Sequence, residues 1–157
     1  MLCATFAGHR SPLLPGVERK LETVLEWLLE KDDQLLFYVG GMGEFDECCA
    51  ASVRAAKSRH GEKKIQIILV LPYMTNKLNT DRIYYESSYD DVMIPFELSE
   101  AHWKAAIRKR NRWMVDRSNF LIAYVYRDFG GAYDTICYAR RKGVPVINLA
   151  QQGRLLG

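Results

Sequence analysis

The stretch "FYVGGMGEFDE", residues 37–47, runs an apolar segment into three glycines and then into three carboxylates. Gly40, Gly41 and Gly43 let a strand-to-helix turn take backbone conformations closed to other residues and present N–H groups at a helix start, where phosphates bind. The same glycines also suit a plain tight turn. Glu44, Asp46 and Glu47 fall in the first helical turn, where carboxylates complement the helix dipole and cap free amides. Asp46 can instead accept hydrogen bonds from ribose hydroxyls, the role an acid plays in other nucleotide sites. Phosphate then needs its cations and amides elsewhere. His9 and Arg10 follow Gly8 directly in "AGHRSP", and Gly130 with Gly131 opens a second glycine turn in "YRDFGGAYDT"; both places suit an anion.

These loops require strands to aim them. Short apolar runs alternate with amphipathic stretches along the chain, the pattern of a parallel sheet covered by helices on both faces. "LCATFAG", "QLLFYVG", "KKIQIILVLP", "DVMIPF", "NFLIAYVY" and "VPVINL" read as strands. "GVERKLETVLEWLLEKDD", "EFDECCAASVRAAKSR", a segment from about Glu100 to Arg117 capped by Ser99, and the segment ended by Gly143 read as helices. The polar, tyrosine-rich stretch 73–91 reads as a long loop with one short helix at most, and its Tyr84, Tyr85 and Tyr89 are candidates for stacking on a base. Trp113 and Met114 read as core. The expected fold is α/β, a Rossmann-like three-layer sandwich with a mainly parallel central sheet, as one domain over residues 1–157. Ligands of such a sheet sit outside the carboxyl ends of its strands, where all three glycine loops fall.

Composition sets the remaining bounds. The 157 residues are 48% hydrophobic, enough for a core. No apolar stretch nears the roughly 18 residues of a membrane span, and Met1 leads straight into strand-like sequence, so a cytoplasmic protein is expected. A net charge of +3 is diffuse and argues against nucleic acid as a partner. Cys3, Cys48, Cys49 and Cys137 lie inside apolar patterns without paired metal spacing and read as reduced, buried thiols; with three histidines in the chain, neither a metal nor a cofactor is expected. The cations of "RKRNRWMVDRS" read mostly as a solvated face.

"TFAGHR" at 5–10, "GGMGEFDECCA" at 40–50 and the run 110–147 beginning "RNRWMVDRSNF" together resemble the SLOG superfamily, the Rossmann-like group that includes the LOG phosphoribohydrolases and the DprA proteins, and most closely its YpsA-like branch. The resemblance covers nearly the whole chain and is weakest over 73–100. It implies a pocket for a nucleotide or nucleotide-derived small molecule, of the ADP-ribose or cyclic-nucleotide kind, in a module that senses or sequesters that ligand. It implies Gly8 and Arg10 on phosphate, Gly41 and Gly43 as phosphate amides, Asp46 on ribose, and Gly130, Gly131 and Thr135 on a second phosphate or sugar. Asn111 and Asp116 would order the loops, and a dimer through the 100–117 helix or the face around Trp27 is expected.

LOG enzymes cleave an N-glycosidic bond with an Arg from an "R-K-x-x-M" helix and a Glu from a glycine loop. Arg110 and Met114 match the first motif, with Asn111 in place of its Lys. The second is broken. Gly130, Gly131 and Thr135 remain, but Tyr133 stands at the third glycine and Cys137 at the Glu. Glycosidic hydrolysis needs a carboxylate, so a binder is expected. The alternatives are a LOG-like nucleotide hydrolase or transferase using Arg110 with Asp46 or Asp134, and, less favoured, single-stranded DNA binding as in DprA.

Overall fold

The computed structural model describes residues 1–10 and 12–151. Six strands form one all-parallel sheet in the order β4-β3-β2-β1-β5-β6: β1 (Leu2–Gly8), β2 (Gln34–Val39), β3 (Lys64–Val70), β4 (Asp91–Met93), β5 (Phe120–Tyr124) and β6 (Val146–Asn148). The helices are α1 (Val17–Lys31), α2 (Glu44–Arg59), the short α3 (Lys77–Thr80) and α4 (Arg82–Ser88), α5 (Trp103–Asp116) and α6 (Gly131–Arg141). This is the expected Rossmann-like α/β fold.

Why the strands read as unbroken apolar runs is visible in β2. Leu35, Phe37 and Val39 pack into the core beneath α1 and α2, while Leu36 and Tyr38 point the other way, toward Met114 of α5. A strand alternates its side chains between faces, so a sheet covered on both sides has no polar row to spare. β5 repeats the arrangement, with Ile122 and Tyr124 on the α1–α2 side and Leu121 and Ala123 against Val115 and Ile136. α1 contributes Leu21, Val24, Leu25 and Leu28, each 0–1% exposed; fully burying such a side chain is worth about 1.5–3 kcal/mol.

β1 lies between β2 and β5. The chain winds outward from β1 through β4, then returns across the opposite face by α5 to place β5 on β1's free side. That reversal opens a crevice at the carboxyl ends of β1 and β5.

Three local expectations are corrected. The 73–91 stretch holds two short helices, α3 and α4. Tyr85 stacks on Tyr89 at 6.3 Å between ring centroids and Tyr89 is buried at 8% exposure, while Tyr84 meets both rings edge-on and stays 47% exposed. The long helix starts at Trp103. His102 caps it, its Nδ1 accepting from the Lys104 amide at 3.3 Å, whereas Ser99 closes a separate 3-10 turn at Phe96–Leu98. Among the described residues no helix is long and apolar enough to cross a membrane.

Candidate functional site

β1 ends at Gly8, against which the Phe45 ring of α2 packs so closely that a Cβ would collide with it. The α2 helix is thereby drawn across the end of β1. The Glu44 amide then donates to the Arg10 carbonyl at 3.0 Å, tying the β1 and β2 loops together. His9 is 5% exposed; its amide donates to the Tyr124 carbonyl at 3.1 Å, and its Nε2 accepts from the Tyr126 amide at the same distance. An accepting Nε2 requires the neutral imidazole. Burial first, then the Arg127 charge, lowers its pKa below the ordinary histidine value. His9 therefore fixes the β5 loop, which carries Arg127, against the β1 loop.

A cavity of about 410 Å³ opens in this crevice. Gly8, His9 and Arg10 line it from β1, Met42 and Asp46 from the α2 turn, and Arg110 and Asn111 from α5. Arg127, Gly130 and Gly131 complete the wall from the β5 loop and the start of α6. Of the residues anticipated from sequence, Gly40, Gly41, Gly43 and Thr135 do not line it. Thr135 faces an adjoining cavity and donates to the Gly131 carbonyl at 2.8 Å.

Arg110 is 3% exposed, and its guanidinium is occupied internally. Nη1 donates to the carbonyls of Gly40 at 3.0 Å and Val70 at 2.8 Å, and Nε donates to Asn111 Oδ1 at 2.8 Å. It thus holds the carboxyl ends of β2 and β3 to α5. Asp46 is 9% exposed, and its Oδ2 accepts from the Met42 amide at 3.0 Å. Burial pushes its carboxyl up to about 6, with the Met42 amide and the Arg110 and Arg10 charges pulling the other way. A Cβ on residue 40 would come within 3.0 Å of both Asp46 Oδ2 and Arg110 Cζ, so the two side chains close over a bare backbone.

Two helices begin at the site with nearly the same backbone. Gly43 before α2 has φ 95° and ψ 174°; Gly130 before α6 has φ 97° and ψ 175°. Their surroundings differ. Two amides of the α2 turn are spent, Met42 on Asp46 and Glu44 on Arg10, and the Arg10 backbone lies 2.8 Å from where a Gly43 Cβ would be. Gly130 and Gly131 have nothing within 4 Å of that position, and among the described residues the amides of Gly131, Ala132 and Tyr133 make no hydrogen bond. At α2 the Asp46 carboxylate takes the amide just before the turn and the Arg10 carbonyl takes that of Glu44, while the amides of Phe45 and Asp46 make no hydrogen bond among the described residues; at α6 the Gly131 amide is unbonded as well, and nothing covers the turn.

Arg110 and Asp46 share the first cavity, whereas Asp134 lies in the adjoining one, its Oδ2 3.4 Å from Arg108 Nη2. Arg127 was not singled out in the sequence, although it stands between a strand end and a glycine pair, a position that exposes a cation to any ligand of the helix start.

No family model matches the chain. No curated protein matches it either. Among solved structures it is similar to DNA processing protein A from Helicobacter pylori, at 17% identity and a TM-score of 0.64, over 92% of this chain and 63% of that one. It is also similar to DNA processing protein A (DprA) from Streptococcus pneumoniae, at 16% identity and a TM-score of 0.66, over 92% of this chain and 49% of that one. The chain therefore spans about half to two thirds of the length of these relatives. The likeness is one of fold, shared with these DNA processing proteins, and nothing in it distinguishes the YpsA-like branch. The Helicobacter pylori protein is described by its single-stranded DNA binding mode. That overturns the expectation which set nucleic acid aside on a net charge of +3. Net charge averages over the chain, whereas a polyanion responds to cations gathered on one surface.

Proposed function

We propose that the cavity at the carboxyl edge of the sheet binds a nucleotide-derived small molecule, in a module that senses or sequesters it. One observation carries this reading: an uncapped helix start and two arginines, Arg10 and Arg127, open into the same cavity as one buried carboxylate. Phosphate oxygens accept from the free amides at Gly131 and Ala132 and pair with the two guanidinium groups. Sugar hydroxyls donate to Asp46, which accepts most strongly when ionised. A cavity of about 410 Å³ is in the size range of small-ligand sites. Thermal shift and calorimetry with AMP, ADP-ribose and NAD test the reading. A ligand at a hundred times its Kd should add about 2.7 kcal/mol of stability, and Arg127→Ala should weaken it about tenfold, the loss of a charge-assisted contact. No stabilisation by any of the three would remove the reading.

The fold's likeness to a single-stranded DNA-binding protein favours a second reading, in which the cavity receives one nucleotide of a strand. It requires steep salt dependence of oligonucleotide affinity. Affinity for an oligonucleotide that is flat with salt, or absent, would reject it.

A further inference from the structure

Beyond the Gly130–Gly131 turn lies a second cavity of about 280 Å³. It shares Ile107, Asn111, Gly130 and Gly131 with the first, so the two adjoin across that turn. Lys104, Arg108 and Arg112 of α5 also line it. They recur at every fourth residue and so form a row on one helical face, in steps of about 6 Å along the axis. Composition alone reads Arg108 and Arg112 as solvated face; the structure sets them with Lys104 against a concave surface.

Their internal partners are weak. Arg108 Nη2 lies 3.4 Å from Asp134 Oδ2, with side chains 64% and 50% exposed. The Lys104 ammonium lies 5.5 Å from the Trp103 ring centroid, and the Arg112 guanidinium 4.8 Å from that of Tyr138. Among the described residues, Asp134 is the one carboxylate on the wall. Three cations against one exposed carboxylate leave the second cavity positive, and exposed pairs of this kind yield readily to a phosphate.

We propose that the second cavity is a subsite for the next phosphate of a phosphodiester-linked ligand, which spans both cavities across the Gly130–Gly131 turn. This rests on the reading of the first cavity as a nucleotide site and narrows its ligand class to two or more nucleotides joined by a phosphodiester. A free dinucleotide and a single strand share that chemistry; length distinguishes them.

The test is calorimetry with AMP, the 5′-phosphorylated linear dinucleotide pApA and a 5′-phosphorylated oligoadenylate, on the wild type and on the double variant Lys104→Gln, Arg108→Gln. Both side chains are exposed, and circular dichroism melting checks that the variant folds. pApA should bind at least tenfold tighter than AMP. The double variant should lose that advantage while holding AMP within about twofold, since neither residue lines the first cavity. A longer oligomer binding tighter than pApA identifies a strand as the source, and equal affinity identifies the dinucleotide; either supports the subsite. Equal affinity of the wild type for AMP and pApA, or an advantage that survives in the double variant, would overturn the second subsite while leaving the first intact. No binding by any of the three would remove both.

Discussion

The starts of α2 and α6 share a glycine, a backbone conformation and an address at the carboxyl edge of the sheet, yet one is partly occupied by the protein itself and the other is open. At α2 the protein supplies its own anion: Asp46 takes the Met42 amide, and the Arg10 backbone covers Gly43. At α6 the first amides make no hydrogen bond among the described residues, and Gly130 and Gly131 line a cavity together with Arg127 and Arg10. A glycine turn before a helix is thus only a capacity to bind phosphate. The two turns differ in what surrounds them: at α2 the Asp46 side chain reaches back to the Met42 amide and Arg10 covers the glycine, and neither happens at α6 among the described residues.

The comparison can be broken from its support inward. Arg110→Met should be the most damaging change, costing about 4 kcal/mol in urea unfolding, because it strands the buried carbonyls of Gly40 and Val70 and leaves Asp46 without its nearby cation. A loss below about 1 kcal/mol would show that the guanidinium is not what holds the α2 side together. Next come the two glycines. Gly43→Ala and Gly130→Ala meet the same left-handed φ, but only the first meets the Arg10 backbone at 2.8 Å. The expected costs are about 3 and about 1 kcal/mol respectively, and equal costs would mean that the two starts are packed alike.

A smaller effect sharpens the electrostatics. The Asp46 carboxyl titrates at about 6 in the folded chain against an ordinary 3.8, so the native state holds its proton more tightly than the unfolded state. That contribution to stability is full below about pH 3.8 and is lost as pH rises through about 6. Asp46→Asn removes it. The wild type should therefore fall by on the order of 2 kcal/mol relative to the variant between pH 4 and pH 7; parallel pH profiles would mean that Asp46 is not desolvated. Ligand affinity should move the other way, rising with pH over the same range where a ribose hydroxyl donates to the ionised carboxylate.

The strands were legible because a sheet buried on both faces leaves its mark in continuous apolar runs, as in "QLLFYV" and "FLIAY". The loops that gather at the site were legible too, since strand ends of a parallel sheet must converge. The contents of the site were less so. Arg110 meets Gly40 seventy residues away, and no local spacing announces that a cation matching a catalytic motif spends its hydrogens on two carbonyls. Ser99 and His102 are both able caps within a few residues of each other, and the choice between them follows from where the 3-10 turn at Phe96–Leu98 lets the helix begin. The row Lys104, Arg108, Arg112 was present in the sequence, but only the approach of α6 turns an exposed helical face into a wall.

The central claim, that the start of α6 and not that of α2 receives phosphate, is tested most directly by amide chemical shifts of the ¹⁵N-labelled protein during titration with AMP. The account predicts saturable shifts at Gly130, Gly131 and Ala132, with small changes at Met42 and Glu44, whose amides are already bonded. Shifts concentrated at Met42 through Asp46, with the start of α6 unmoved, would contradict it.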